Sequence, residues 1–242
     1  MKKIKNRRLN ALTAVILVAV FFAVAGVCLI PEKTVRLSGG ESYSPVYSGD
    51  RGGDGVALMI NVYEGADLLP AFLDTLNRYG AKVTFFVGGC WADDHADLLV
   101  RMAEEGHEIA NHGFFHKDHR KLGERENSDE ILFAEAVVKQ ATGVKTRLFA
   151  PPSGSYSVTT LKVAEKLGYK TILWTKDTVD WRDKSKRKVY NRATQNIAAG
   201  DFVLMHPKAH TLEALPDILE YYRKIGLRAV TVTETLGETH SR

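Results

Sequence analysis

His112 and His116 stand four residues apart in the stretch Asn111-His112-Gly113-Phe114-Phe115-His116. On one helical turn or in a tight loop, that spacing lets both imidazoles face a single metal ion. The pair also reads as two surface histidines, because His107 and His119 make the whole stretch rich in histidine. Neighbouring chemistry separates the two readings. Other polar residues recur just after apolar runs: Asn61, Tyr63 and Glu64, then Pro151-Pro152-Ser153-Gly154, then Asp177 and Asp180-Trp181, and finally His206-Pro207.

Those apolar runs alternate with helical patterns. Residues 56–62 form a buried-strand run, 68–79 have helical spacing with Gly80 as the stop, and 82–87 form a second strand. A helix over 96–105 ends at Gly106, followed by a strand at 107–110, a helix at 128–142 ending at Gly143, and a strand at 148–150. Residues 158–167 are helical up to Gly168, 171–174 extended, 189–199 helical up to Gly200, 202–205 extended, 212–225 helical up to Gly226, and 228–232 extended. Repeated strand-helix units with glycine at helix ends predict an α/β fold with a parallel sheet, either a barrel or an open doubly wound sheet. No G-x-G-x-x-G follows the first strand, so a dinucleotide fold loses support. In a barrel, polar residues just after strands gather on one face, where sites are built.

The 242 residues are 45% hydrophobic and 26% charged, which excludes a disordered or collagen-like chain. The net charge of +4 is local, since Lys2, Lys3, Lys5, Arg7 and Arg8 all lie in the first ten residues. Of 33 basic residues, 28 remain without those five, against 29 acidic ones. A body near −1 offers no basic field to a phosphate backbone, so no nucleic-acid partner is expected. Residues 1–10 read as a cytoplasmic basic tail. Residues 11–30 carry no charge and only Thr13 as a polar side chain, long enough to cross a hydrocarbon core of about 30 Å. Positive charge before this segment and Pro31-Glu32-Lys33 after it predict a single-pass anchor in the cell membrane, with the remainder outside. A cleaved signal peptide, with secretion of the rest, is the alternative. Cys28 lies inside the apolar segment and Cys90 is the only other cysteine, so the exported body forms no internal disulfide. Residues 31–55, rich in Ser, Gly and Tyr, read as a spacer, and 56–242 as the functional domain. Nothing in the sequence sets an oligomeric state.

Four segments, taken in order, carry a family resemblance. Gly106-His107-Glu108-Ile109-Ala110-Asn111-His112 through His116, Phe149-Ala150-Pro151-Pro152-Ser153-Gly154, Asp177-Thr178-Val179-Asp180-Trp181 and Leu204-Met205-His206 resemble the second to fifth motifs of the polysaccharide deacetylase family. This is the nodulation-protein-B homology domain of carbohydrate esterase family four, and the likeness spans residues 56–236. Lys82-Val83-Thr84-Phe85-Phe86-Val87 sits where that family has its second strand. The resemblance implies a distorted (β/α) barrel missing a unit or so, and metal-dependent removal of acetyl groups from an N-acetylated glycan polymer. In such a reaction a divalent ion polarises the amide carbonyl and its bound water, a base takes the water proton, and an acid protonates the departing amine. The resemblance makes His112 and His116 metal ligands, with Zn²⁺ expected first and Co, Mn or Ni as alternatives. His206 becomes the acid, Asp180 the group that holds its ring, and Trp181 an apolar wall, with Tyr63, Pro151, Pro152 and Ser153 on the substrate side. Read without the family, Asp180 and Trp181 are a helix cap beside a core aromatic.

The first motif departs from the family. Most members have Thr-Phe-Asp-Asp-Gly, the first Asp as base and the second as metal ligand, where this chain has Met59-Ile60-Asn61-Val62-Tyr63-Glu64-Gly65. Counting from Leu58 puts Asn61 on the base and Val62 on the ligand; counting back from Gly65 puts Tyr63 on the base and Glu64 on the ligand. Neither register restores both carboxylates. An amide accepts no proton at neutral pH, so Asn61 can orient water without deprotonating it. Glu64 or Asp67 remains as the carboxylate that completes a His-His-carboxylate site, although Asp67 equally suits the first turn of the helix it opens. The Arg that usually opens the third motif is Ala150 here. Since that Arg normally pairs with the base, the two losses are consistent with each other. Similar first-motif variants occur in a sporulation-associated branch of the family, which this chain most resembles. Two functions follow: an exported deacetylase of cell-wall glycan or another N-acetylglucosamine polymer, or a non-catalytic glycan-binding relative that kept the cleft and lost the base. Retention of His112, His116, Asp180 and His206 favours the first. Hydrolysis of a small amide is a third possibility.

Overall fold

Strand β1 (Gly55–Val62) is buried at every position after its first, as a strand covered on both faces of a parallel sheet must be. It pairs in parallel with β2 (Thr84–Val87), β7 (Phe202–Met205) and β8 (Arg228–Val230). With β3 (Glu108–Asn111), β4 (Leu148–Phe149), β5 (Lys170–Thr171) and β6 (Lys176–Asp177), the sheet runs β5-β4-β3-β2-β1-β7-β6, with β8 on β1. These are features of a computed structural model that describes residues 43–238. The expected cytoplasmic tail and the membrane segment at 11–30 lie outside the described residues, as does the spacer up to residue 42. Among the described residues no helix is long and apolar enough to cross a membrane.

The two outermost strands, β5 and β6, are consecutive in the chain and separated only by residues 172–175. Ile172 N–H donates to Phe149 O at 2.8 Å, and Thr175 N–H donates to Phe202 O at 3.0 Å. One short stretch therefore carries both border strands, and the sheet curls until they stand with four residues of chain between them, β5 pairing with β4 and β6 with β7. A curled parallel sheet flanked by helices is consistent with the expected distorted (β/α) barrel. The last part of the expected spacer belongs to this body: Val46 bridges Ile172 in parallel and Ser48 bridges Asp201.

Alternation along the strands sorts the core into two layers. Val56, Leu58, Ile60 and Val62 face helices α1 (Leu69–Arg78), α3 (Ala96–Glu104) and α7 (Ala209–Lys224) in the larger cluster. Ala57 and Met59 instead join Phe86, Ala110, Leu148, Ala150, Ile172 and Phe202 in a second cluster inside the curl. Asn61 continues the parity of Ala57 and Met59, and His112 that of Ala110. The chain direction of a parallel sheet brings these inward side chains to one rim. The opposite end is closed by α8 (Val232–Thr235), where Thr84 donates to Glu108 Oε2 at 2.6 Å and accepts from Val232 N–H at 2.8 Å.

Several boundaries differ from the sequence expectation for local reasons. The helix expected from 128 begins at the start of α4 (Glu124–Thr142), where Glu126 accepts from Gly123 N–H at 2.9 Å and supports an otherwise polar first turn. Helix α2 (Gly89–Asp94) was not expected from the sequence. The final strand stops at Val230 because Thr231 caps α8, accepting from Glu234 N–H at 3.1 Å. Helices α5 (Val158–Lys166) and α6 (Lys186–Thr194) complete the outer layer.

Candidate active site at the sheet rim

At the end of β3, His112 is buried and its Nδ1–H donates to Ala150 O at 2.7 Å. A carbonyl only accepts, so Nδ1 carries the proton and Nε2 keeps its lone pair, the tautomer a metal ligand needs. Burial, reinforced by the neighbouring His116, pushes the His112 pKa down to about 3. Half-buried His116 is also shifted down, first by desolvation. The two rings lie 5.1 Å apart between centroids at 68°, and the Tyr63 ring lies 4.8 Å from His116.

The pair is carried by a tight loop, not by a helical turn. Gly113 has φ 75°, and a Cβ there would stand 3.1 Å from His119 Nε2 and 3.3 Å from Glu130 Oε2. Asn111, facing outward on β3, accepts from Gly113 N–H at 2.9 Å and donates to Ile131 O at 2.8 Å. Glu130 of α4 is buried and accepts from Phe114 N–H at 2.9 Å and Phe115 N–H at 2.8 Å, with Lys117 Nζ at 3.2 Å. His119 is a structural member of the stretch, its Nδ1 donating to Asn127 Oδ1 at 2.7 Å. His107 sits at the far end of β3, its Nδ1 accepting from Val83 N–H at 3.3 Å. The histidine-rich segment thus divides into two structural rings and two facing ones.

Across the rim, His206 follows β7. Its Nδ1 donates to Asp180 Oδ1 at 2.7 Å, and its backbone N–H donates to Asp180 Oδ2 at 2.7 Å. Thr211 donates to the same oxygen at 2.7 Å, and His210 Nε2 donates to the Asp180 carbonyl at 2.8 Å. Burial opposes ionisation of Asp180, but the bonds from His206 and Thr211 outweigh it and hold the carboxyl below its usual range. Val179 adopts φ 52° just before it, a costly conformation for a β-branched residue that marks a constrained turn. His206 is near enough to His112 and His116 to disfavour a positive charge on either.

The β1 end differs. Asn61 is buried and its Oδ1 has no hydrogen-bond partner. Val62 is part of the outer core. The two carboxylates expected to complete the metal set do not join the histidines as placed here: Glu64 is bound to Lys208, and Asp67 is exposed. Among the described residues no group of three or more His, Cys, Asp or Glu side chains is arranged to hold a metal ion. The donor chemistry fits a divalent cation in the two imidazoles, and the third position is not assembled. Of the expected substrate-side residues, Tyr63 and Trp181 are 40% and 55% exposed and Ser153 is exposed, while Pro151 and Pro152 are buried. Arg182 lies over the Trp181 ring at 5.7 Å.

Glu130, Lys208, His210 and Thr211 were not anticipated from the sequence. Only Glu130 left a signal: it occupies the buried stripe of α4 with Asn127, Ile131, Ala134 and Val138, where an acidic side chain demands a partner. Residues 49–172 match the polysaccharide deacetylase family, which takes in Asn61, both facing histidines and the Pro151 segment. The chain is 34% identical over 195 residues to the uncharacterized protein YlxY of Bacillus subtilis, covering 81% of this chain and 61% of that one. It is 31% identical to the peptidoglycan-N-acetylmuramic acid deacetylase PdaA of the same organism, covering 84% of this chain and 79% of that one. Among solved structures, BA3943 of Bacillus anthracis, a CE4 family pseudoenzyme, superposes with a TM-score of 0.79 at 32% identity over 83% of this chain and 72% of that one. A mutant of that pseudoenzyme with restored enzymatic activity matches equally well in fold, with a TM-score of 0.79. Curled parallel sheet, facing histidines and relatives agree: the chain belongs to the polysaccharide deacetylase family.

Proposed function

We propose that the protein is a metal-dependent deacetylase that removes N-acetyl groups from cell-wall peptidoglycan or another N-acetylglucosamine polymer. The observation that carries this reading is the convergence on one rim of the imidazole pair of His112 and His116 with the Asp180–His206 couple. A divalent ion bound at the pair supplies polarisation of the amide carbonyl and acidification of water. His112 and His116 would hold it through ring nitrogens kept neutral by burial.

His206 acts at the leaving group. Because Nδ1 is bonded to Asp180, Nε2 is the nitrogen that passes a proton to the departing amine, and the carboxylate stabilises the charged ring beforehand. Tyr63 and Trp181 offer exposed aromatic faces, suited to stacking against sugar rings. Asn61 has an inward amide but no basicity. Absence of a general base typically lowers rate by about 10²–10⁴ without abolishing it, so a slow enzyme is expected. We also propose residues 11–30 as the segment that delivers the domain to the outer face of the membrane, where wall glycan lies.

A second reading has its own observation. The unpartnered Asn61 amide oxygen and the likeness to a pseudoenzyme favour a glycan-binding protein that has lost turnover. Acetate release from a chitin oligomer or peptidoglycan distinguishes the two. The purified chain loaded with Zn²⁺, Co²⁺, Mn²⁺ or Ni²⁺ releases acetate under the first reading and loses it on His112→Ala. Glycan binding with no acetate from any metal form supports the second.

A further inference from the structure

We propose that Lys208 is a built-in counter-cation for the metal site: its ammonium holds the Glu64 carboxylate, and the site gains its third ligand only when Glu64 exchanges Lys208 for a divalent ion. The inference rests on the metal-dependent reading above and adds the residue that controls access to it.

The two loops that meet here are pressed together. Gly65, with φ 77°, packs so closely on Pro207 that a Cβ would fall 2.5 Å from the Pro207 carbonyl oxygen. Glu64 and Lys208, the next residues outward, are thereby neighbours, and their side chains form an ion pair. Lys208 is anchored, its backbone N–H donating to His206 O at 2.8 Å and its side chain only 25% exposed. The Glu64 side chain is 65% exposed and is the partner free to turn. Glu64 is placed next to the histidine pair by its neighbour Tyr63, whose ring lies 4.8 Å from that of His116. Two imidazoles and a carboxylate are a common divalent set, whereas a protonated lysine has no lone pair to offer. Lys208 therefore competes with an ion for the same carboxylate. An ion pair this exposed is weak enough to be exchanged.

The test is a titration of the full chain with Co²⁺, followed by visible ligand-field absorption, with Zn²⁺ as competitor. Lys208→Met is expected to tighten binding by roughly twofold to fivefold, and adding Glu64→Gln to cancel that gain. Lys208→Arg, which keeps the ion pair, should retain wild-type affinity. Because salt screens the pair, wild-type affinity should approach that of Lys208→Met as ionic strength rises to about 0.5 M. Equal affinity for wild type and Lys208→Met, with His112→Ala still abolishing binding, would overturn the role of Lys208 and leave the metal site standing. No Co²⁺ or Zn²⁺ bound by any form would overturn both.

Discussion

The two sides of the rim are built to different standards. On the β6–β7 side, Asp180 is buried with both carboxylate oxygens occupied by His206 and Thr211, and its own carbonyl is taken by His210. On the β1 side, a buried amide has an idle oxygen and the Glu64 carboxylate is given to Lys208. A satisfied buried network is rigid and specifies one geometry, whereas an unpaired buried group costs about 1–3 kcal/mol and persists where something else uses it. The acid side of the proposed reaction is therefore fully hydrogen-bonded, and the base side carries an amide and an ion-paired carboxylate in its place.

Between the two sides stand the histidines, and their loss should have the largest effect. His112→Ala is expected to weaken divalent binding by more than about 100-fold, read by Co²⁺ absorption. Retained affinity would move the metal away from this loop. On the intact side, Asp180→Asn should lower acetate release by about 10²–10⁴ and destabilise the chain by about 1–3 kcal/mol in urea. Divalent affinity should stay within about twofold. A variant as active as wild type would break the contrast between the sides.

On the β1 side, Asn61→Asp returns a carboxylate to the inward position and should raise acetate release by about 10- to 100-fold. No increase in metal-loaded protein would mean that the missing base is not what limits turnover. The smallest effect lies at the far end of β3. Burial lowers the His107 pKa from 6.5 to about 4, so between these values the unfolded chain binds a proton that the folded chain does not. Stability of the metal-free protein should then fall as pH drops from 6.5 to about 4, with no further loss from this group below that. His107→Asn, which keeps an acceptor for Val83 N–H, should lessen that fall in melting temperature by the His107 share, the remainder coming from His112, His116 and His119, whose pKa values burial also lowers.

Much of this was legible in the residues. The apolar run of β1 and the glycines after helices were enough to predict a parallel α/β sheet, and the four-residue spacing was enough to suggest facing rings at His112 and His116. The first motif was less readable, because two alignments of 59–65 are equally good on paper. Strand alternation separates their residues in space: Asn61 shares the inward parity of Met59, Val62 packs outward, and Tyr63 leaves the strand to lie against His116. Glu130 showed only as an acidic side chain in the buried stripe of α4, because its partners, the Phe114 and Phe115 amides, lie on another element. The Glu64–Lys208 pair spans 144 residues of chain, a separation that no local pattern can report.

Residues 170–177 serve as both borders of the curled sheet. Exposed borders are where a stray strand from another molecule can add itself, and here both border strands lie in the same stretch, with Val46 bridged to Ile172 beside one of them. The stretch also sets the circumference. Deleting one residue from 172–175 would turn Asp177, and with it the Asp180 turn, relative to the β4 side that supports His112. The placement of one side of the rim against the other is therefore tied to the length of a connector whose Trp174 ring lies so close to Gly154 that a Cβ there would stand 2.8 Å from it.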